Sequence, residues 1–111
     1  MDYTAIEAKV EADMVRTELE PTPGRWWLDD LNRPVDGKCC LFSPQVIGKS
    51  VYRTAANVAA ALGVGPEWIN GAMLGFDGYQ ESSTVLSPDG LDGQEFGQRM
   101  RKKYVREAQD A

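Results

Sequence analysis

The chain contains no histidine. That one absence removes Ser–His and Cys–His nucleophile schemes together with every His-ligated metal site. Cysteine is scarce as well. The two present, Cys39 and Cys40, are adjacent, so on a strand they point to opposite faces and cannot form the Cys-x-x-Cys pair of a redox or zinc site. One of them is expected in the core. Lys and Arg are missing from Thr54 through Gln98, which leaves that stretch without the cations that hold phosphate. No apolar run approaches the ~20 residues of a membrane span. Phosphate loops and nucleotide fingerprints are absent, and Asp89-Gly90-Leu91-Asp92-Gly93 lacks the alternating ligands and distal Glu of a calcium loop. No motif pairs the acids Asp29, Asp30, Glu67, Asp77 and Glu81 for catalysis. The expectation is a protein that is not an enzyme and that carries no cofactor or metal.

What is present is an ordinary globular composition: 111 residues, 42% hydrophobic, with three Trp. A chain of this length buries roughly 65% of its unfolded surface in one core, so residues 1–111 are expected to form a single globular domain. The opening residues Met-Asp-Tyr-Thr-Ala-Ile-Glu have neither the basic start nor the apolar stretch of a secretory signal, and a cytoplasmic location is expected. Of the net charge of −5, the N-terminal third carries the excess, with nine acids and four bases in residues 1–36. Such a bias opposes general nucleic-acid affinity and suits an acidic face that docks on a basic partner.

Local signals place the elements. Thr4-Ala5-Ile6-Glu7 reads as a capping box, followed by Ile6, Val10 and Met14 at four-residue spacing with Val15 and Leu19 continuing the stripe, and Pro21 and Pro23 end the helix near Glu20. The bulky runs 24–31 and 38–42 flank a Pro- and Asp-Gly-bearing connector and predict an antiparallel hairpin. Ser43-Pro44 predicts a short helical turn. A main helix is expected to begin just after Gly48, with Val51, Ala55, Val58 and Leu62 as its stripe and Gly63 as its left-handed stop. Gly65-Pro66-Glu67 opens the next helix, which Gly71 and Gly75 are expected to shorten. Residues 79–90 read as the longest loop. Asp92-Gly93-Gln94-Glu95 then predicts a cap for a terminal helix whose stripe is Phe96, Met100 and Tyr104 and whose later turns are basic. The expected fold is α+β: a helix-dominated small domain with one β-hairpin and a helix-turn-helix-like central helix pair.

That central pair has small, turn and apolar residues at Ala59, Gly63 and Ile69, yet its second helix offers only Asn70 beside Glu67 for reading base edges. Nucleic acid could be gripped only from outside it, by Lys49, Arg53, Arg99, Arg101, Lys102, Lys103 and Arg106. A small DNA-binding regulator using those residues is the alternative reading, and direct nucleic-acid binding is not the expected activity. Trp26 and Trp27 are adjacent on a predicted strand, so one ring faces the core and the other faces outward, as interface anchors do.

The elements Gly24-x-Trp26, Gly37-x-Cys39-Cys40, Leu62-Gly63-Val64 and Gly75-Phe76-Asp77-Gly78 resemble small uncharacterised proteins of phages, prophages and their hosts. The resemblance implies a phage-related origin, cytoplasmic action in a bacterial host, and a role in binding and blocking a host or defence complex, as anti-CRISPR proteins do. The leading expectation is therefore a non-enzymatic protein-binding module, an inhibitor whose acidic surface meets a protein with a basic one, such as a nucleic-acid-handling complex. Its expected contact residues are Glu11, Glu18, Trp27, Asp29 and Asp30.

Overall fold

The computed structural model describes residues 2–23, 38–45 and 54–105. Four α-helices dominate them: α1 (Tyr3–Thr17), α2 (Ala55–Leu62), α3 (Pro66–Phe76) and α4 (Pro88–Tyr104), with a single 3-10 turn at Ser43–Gln45. None of the described helices is long and apolar enough to cross a membrane.

Helix α1 is capped two residues earlier than expected. Asp2, not Thr4, accepts the free amides, with Oδ1 taking those of Thr4 and Ala5 at 3.0 and 3.4 Å. Asp both satisfies orphan donors and complements the helix dipole, so it wins over a neutral Thr inside the first turn. The helix also stops before the prolines. Glu18 turns left-handed at φ 57°, and the amide of Leu19 reaches back to the carbonyl of Met14 at 3.2 Å, which closes the end. Ile6, Val10 and Met14 are buried, as their spacing predicts.

The run that begins at Lys38 does form a strand, but a short one, β2 (Lys38–Cys39), and its described partner is β1 (Glu20–Pro21) in parallel register. A parallel pair needs a long crossover rather than a tight turn, so this ladder is not half of the expected hairpin. The run 24–31 itself lies outside the described residues. Cys40, Leu41 and Phe42 then pass into the core.

Thr54 caps α2 by accepting the amide of Asn57 at 3.2 Å. The helix thus begins at Ala55, later than the stripe from Val51 suggested. Val51 lies outside the described residues. Gly63, left-handed at φ 74°, ends α2, and Pro66 starts α3 three residues on.

Helix α3 is not shortened by its glycines. It runs through Gly71 and Gly75 to Phe76, and these two positions are where α4 comes closest. A Cβ at Gly71 would lie 2.8 Å from the carbonyl carbon of Gly90, and one at Gly75 would lie 3.0 Å from that of Gln94. The arrangement is reciprocal. A Cβ at Gly93 would meet the Trp68 carbonyl, and one at Gly97 the Ala72 carbonyl. Two Gly-x-x-x-Gly steps, 71/75 and 93/97, therefore interlock backbone against backbone, a geometry that permits Cα–H···O contacts. The contact order rises together along both helices, from 71 with 90 to 75 with 94, so α3 and α4 run parallel.

Helix α4 begins at Pro88, with Ser87 as its cap accepting the amide of Gly90 at 3.1 Å. The expected cap, Asp92, is instead inside the helix with its carboxylate turned to other elements. Ser-Pro supplies both the cap and a pre-set first residue, while three glycines mask the helix in the sequence pattern.

The core lies where these elements converge. Trp68, Phe42 and Phe96 form its centre, with ring centroids 5.0 Å apart for Trp68–Phe96 and 6.5 Å for the stacked Phe42–Phe96 pair; Tyr3 adds its ring at 5.7 Å from Phe96.

Candidate functional site

Helix α4 takes part in most of the side-chain contacts between elements distant in the chain that the described residues make. At 100° per residue, positions 92, 95, 99 and 103 fall on one side and positions 90, 93, 94, 97 and 101 on the other. The first side meets α1. Tyr3 donates its hydroxyl to Asp92 Oδ1 at 2.8 Å and lies 3.3 Å from Glu95 Oε2, while Arg99 pairs with Glu7 at 3.2 Å. Lys103 pairs with Glu11 at 2.7 Å and with Glu7 at 3.7 Å, and the Tyr104 hydroxyl donates to Glu11. The order again rises together, so α1 also runs parallel to α4.

Charges on this seam are therefore engaged within the protein. The Lys103 ammonium, and then the Tyr104 hydroxyl, hold the Glu11 carboxyl below its ordinary value. Glu11 in turn raises the pKa of Lys103. Both phenols are pushed upward, Tyr3 by burial and then by Asp92, Tyr104 by burial and then by Glu11.

Asp92 joins the seam to the core. Its Oδ2 accepts the indole N–H of fully buried Trp68 at 2.7 Å. One carboxylate thus ties α1, α3 and α4 together, a role that the cap reading of Asp92 missed. The only signal for it was Asp92 standing one turn from Phe96 among apolar partners.

On the opposite side of α4, Arg101 donates from Nη1 to the Phe76 carbonyl at 2.8 Å. It caps the C-terminus of α3, where a cation suits the dipole. At the other end, Glu67 and Asp89 occupy the first turns of α3 and α4, with Ser87 donating its hydroxyl to Glu67. Parallel helices align their dipoles unfavourably, and acids at the two adjacent N-termini with a base at the C-termini offset that cost.

The expected contact residues are thereby divided. Glu11 and Glu18 both lie on α1: Glu11 is held by Lys103 and Tyr104, while Glu18 is exposed. Trp27, Asp29 and Asp30 lie outside the described residues, as do Lys49, Arg53 and Arg106 of the alternative set. Within that set Arg99 and Lys103 bind acids of α1, Arg101 binds a carbonyl, and Lys102 is exposed. The basic terminal helix is thus largely a partner for α1.

The expectation that Val15 continues the buried stripe of α1 is overturned: it stands about 100° round the helix from buried Met14 and belongs to an exposed face. Ala5, Ala8, Ala12 and Val15 are all exposed at alternating three- and four-residue spacing, and Val15, at 80% exposure, lies one turn after Glu11 and one turn before Glu18. The stripe was legible, but the buried stripe beside it carried the stronger signal. No group of metal-ligating side chains gathers among the described residues. No family model matches the chain, and no curated protein or solved structure matches it either.

Proposed function

We propose that this chain is a non-enzymatic protein-binding module of phage-related origin that acts in the bacterial cytoplasm, inhibiting a host or defence complex, such as a CRISPR effector, by covering a basic surface with an acidic one. The observation that carries this reading is the outer face of α1, where Val15, 80% exposed, stands one turn before the exposed Glu18, Glu11 being engaged by Lys103 and Tyr104. A helix end displaying an apolar residue beside an acid suits a groove lined by apolar and basic side chains. The balance of six acids and no base over residues 54–98 adds a field that favours a basic protein and repels nucleic acid. In this proposal Trp27, Asp29 and Asp30 supply an adjoining contact, and the α2–α3 pair serves as a helix-turn-helix-like scaffold.

Affinity purification from a bacterial host, with mass spectrometry, tests the reading directly. The wild-type chain is expected to retain one nucleic-acid-handling complex, and the E18K/D29K/D30K variant is expected to lose it. Equal capture by the charge-reversed variant would remove the acidic surface from the account.

A further inference from the structure

A second surface lies across α4 from α1, on the loop 77–87. We propose that this loop is a preformed docking epitope for an arginine-bearing segment of a partner protein, with Tyr79 and Val85 as its apolar anchors and the neighbouring carboxylates as its charge complement. The inference rests on the protein-binding reading but assigns a different surface.

The loop is held by polar groups and, at its end, by half-buried Leu86 beside Gly90. Gln94, only 6% exposed, forms a reciprocal pair with the Glu81 backbone: its Nε2 donates to the Glu81 carbonyl at 3.0 Å, and its Oε1 accepts the Glu81 amide at 2.7 Å. Ser82 closes the next turn, its carbonyl accepting the amides of Val85 and Leu86 at 3.0 and 2.9 Å. At its start the Tyr79 amide is tied to the Leu74 carbonyl at 3.0 Å, and at its end Ser87 is tied to Glu67. Tyr79 and Val85, meanwhile, are 54% and 64% exposed. Covering such a side chain fully is worth roughly 1.5–3 kcal/mol, which a partner can supply. Here a buried amide fixes the backbone while the anchors face outward, so the ordering cost of binding is met before a partner arrives.

Charge selects the occupant. Glu67 and Asp89 are exposed beside the end of the loop, and Glu81 is half-exposed within it. The cation nearest the start of the loop, Arg101, packs on Gly78 and is committed to the Phe76 carbonyl. A guanidinium can stack on a tyrosine ring and bridge carboxylates with its planar fork, which an ammonium does less well. The fit is therefore to arginine next to an apolar side chain.

The test is an NMR titration of the full-length, isotope-labelled chain with a six-residue peptide alternating arginine and leucine, beside its lysine and glutamate counterparts. Amide shifts confined to residues 79–89, tightest for the arginine peptide and absent for the glutamate one, are expected. Y79S/V85S is expected to weaken the arginine peptide about tenfold, the loss of one hot spot. Should that variant unfold, E81Q/D89N replaces it and is expected to weaken binding in the same direction. Shifts that map instead to Val15 and Glu18, or binding indifferent to these substitutions, overturn the epitope while leaving the α1 reading standing. Absence of arginine-peptide binding overturns it too, whereas the α1 reading is judged separately by the E18K/D29K/D30K capture experiment.

Discussion

The carbonyl of Ala72 in α3 occupies the space that a Cβ at Gly97 in α4 would need, with the Ala72 carbonyl carbon 2.8 Å from that position. Three further glycines, at 71, 75 and 93, make the same kind of approach. The helix pair at the centre of this protein is thus held at a separation that only glycine allows.

G97A is expected to destabilise the fold by about 1–3 kcal/mol or more, the range for overpacking a closed contact. This loss should appear although alanine is the better helix former by about 1 kcal/mol. Urea unfolding of G97A beside an exposed-site control such as N70A checks it. A midpoint equal to or above wild type would mean the helices are not in backbone contact.

Removing the Asp92 carboxylate strands the buried indole of Trp68 and takes away one of the three acceptors of the Tyr3 hydroxyl. D92A is expected to cost about 1–3 kcal/mol, the penalty for an unsatisfied buried donor. Y3F, which removes one donor and strands little, should cost about 0.5–1.5 kcal/mol. Thermal melts of the two variants give the comparison, and a D92A loss no larger than that of Y3F would contradict the role assigned to Trp68.

Alkaline pH should weaken the fold through Tyr3 and Tyr104. Both phenols have folded values raised above the ordinary 10.0, chiefly by burial. The unfolded chain therefore releases those protons first, so the stabilisation is full below the ordinary value and is lost as pH rises from there through the raised folded values. Melting temperature is expected to fall above about pH 10, and less steeply in Y3F/Y104F. At the acid end Glu11 has a lowered value, through Lys103 and then Tyr104. Its contribution is present above the ordinary carboxylate range and is lost as pH falls through the folded value, so E11Q should flatten the acid limb.

Glu18 closes α1 in a left-handed conformation that crowds a side chain's Cβ, at about 1–2 kcal/mol. Glycine relieves this and gives back part of the gain through a freer unfolded chain, about 0.4–1 kcal/mol. E18G is expected to be more stable than wild type by about 0.5 kcal/mol on balance, while E18A gains nothing. Chemical denaturation of the two side by side separates them.

Much of the helical order was legible in the residues. Ile6, Val10 and Met14 marked the buried face of α1, Gly63 and Pro66 marked the α2–α3 turn, and Phe96 and Met100 marked the inner face of α4. These are local signals, set by periodicity and by what glycine and proline permit. Helix starts were less legible, because Asp2, Thr54 and Ser87 compete with neighbouring residues of nearly equal capping strength.

The candidate site was legible only in part, for a related reason. Periodicity gave Arg99 and Lys103 a basic face and Glu7 and Glu11 an acidic one, but nothing local says that the two faces meet. Only packing pairs residue 7 with 99 and residue 11 with 103, and so turns two apparent binding surfaces into one internal seam.

The sequence by itself determined that histidine chemistry is absent, that residues 54–98 are purely acidic in charge, and where most helices lie, because composition and short-range sterics do not depend on distant contacts. The tertiary structure decided which charges remain available, since an ion pair or a buried carboxylate exists only when two elements far apart in the chain are brought together. It also decided what the glycines are for. In one dimension they are weak points in a helix, and in three they are the surface along which α3 and α4 touch.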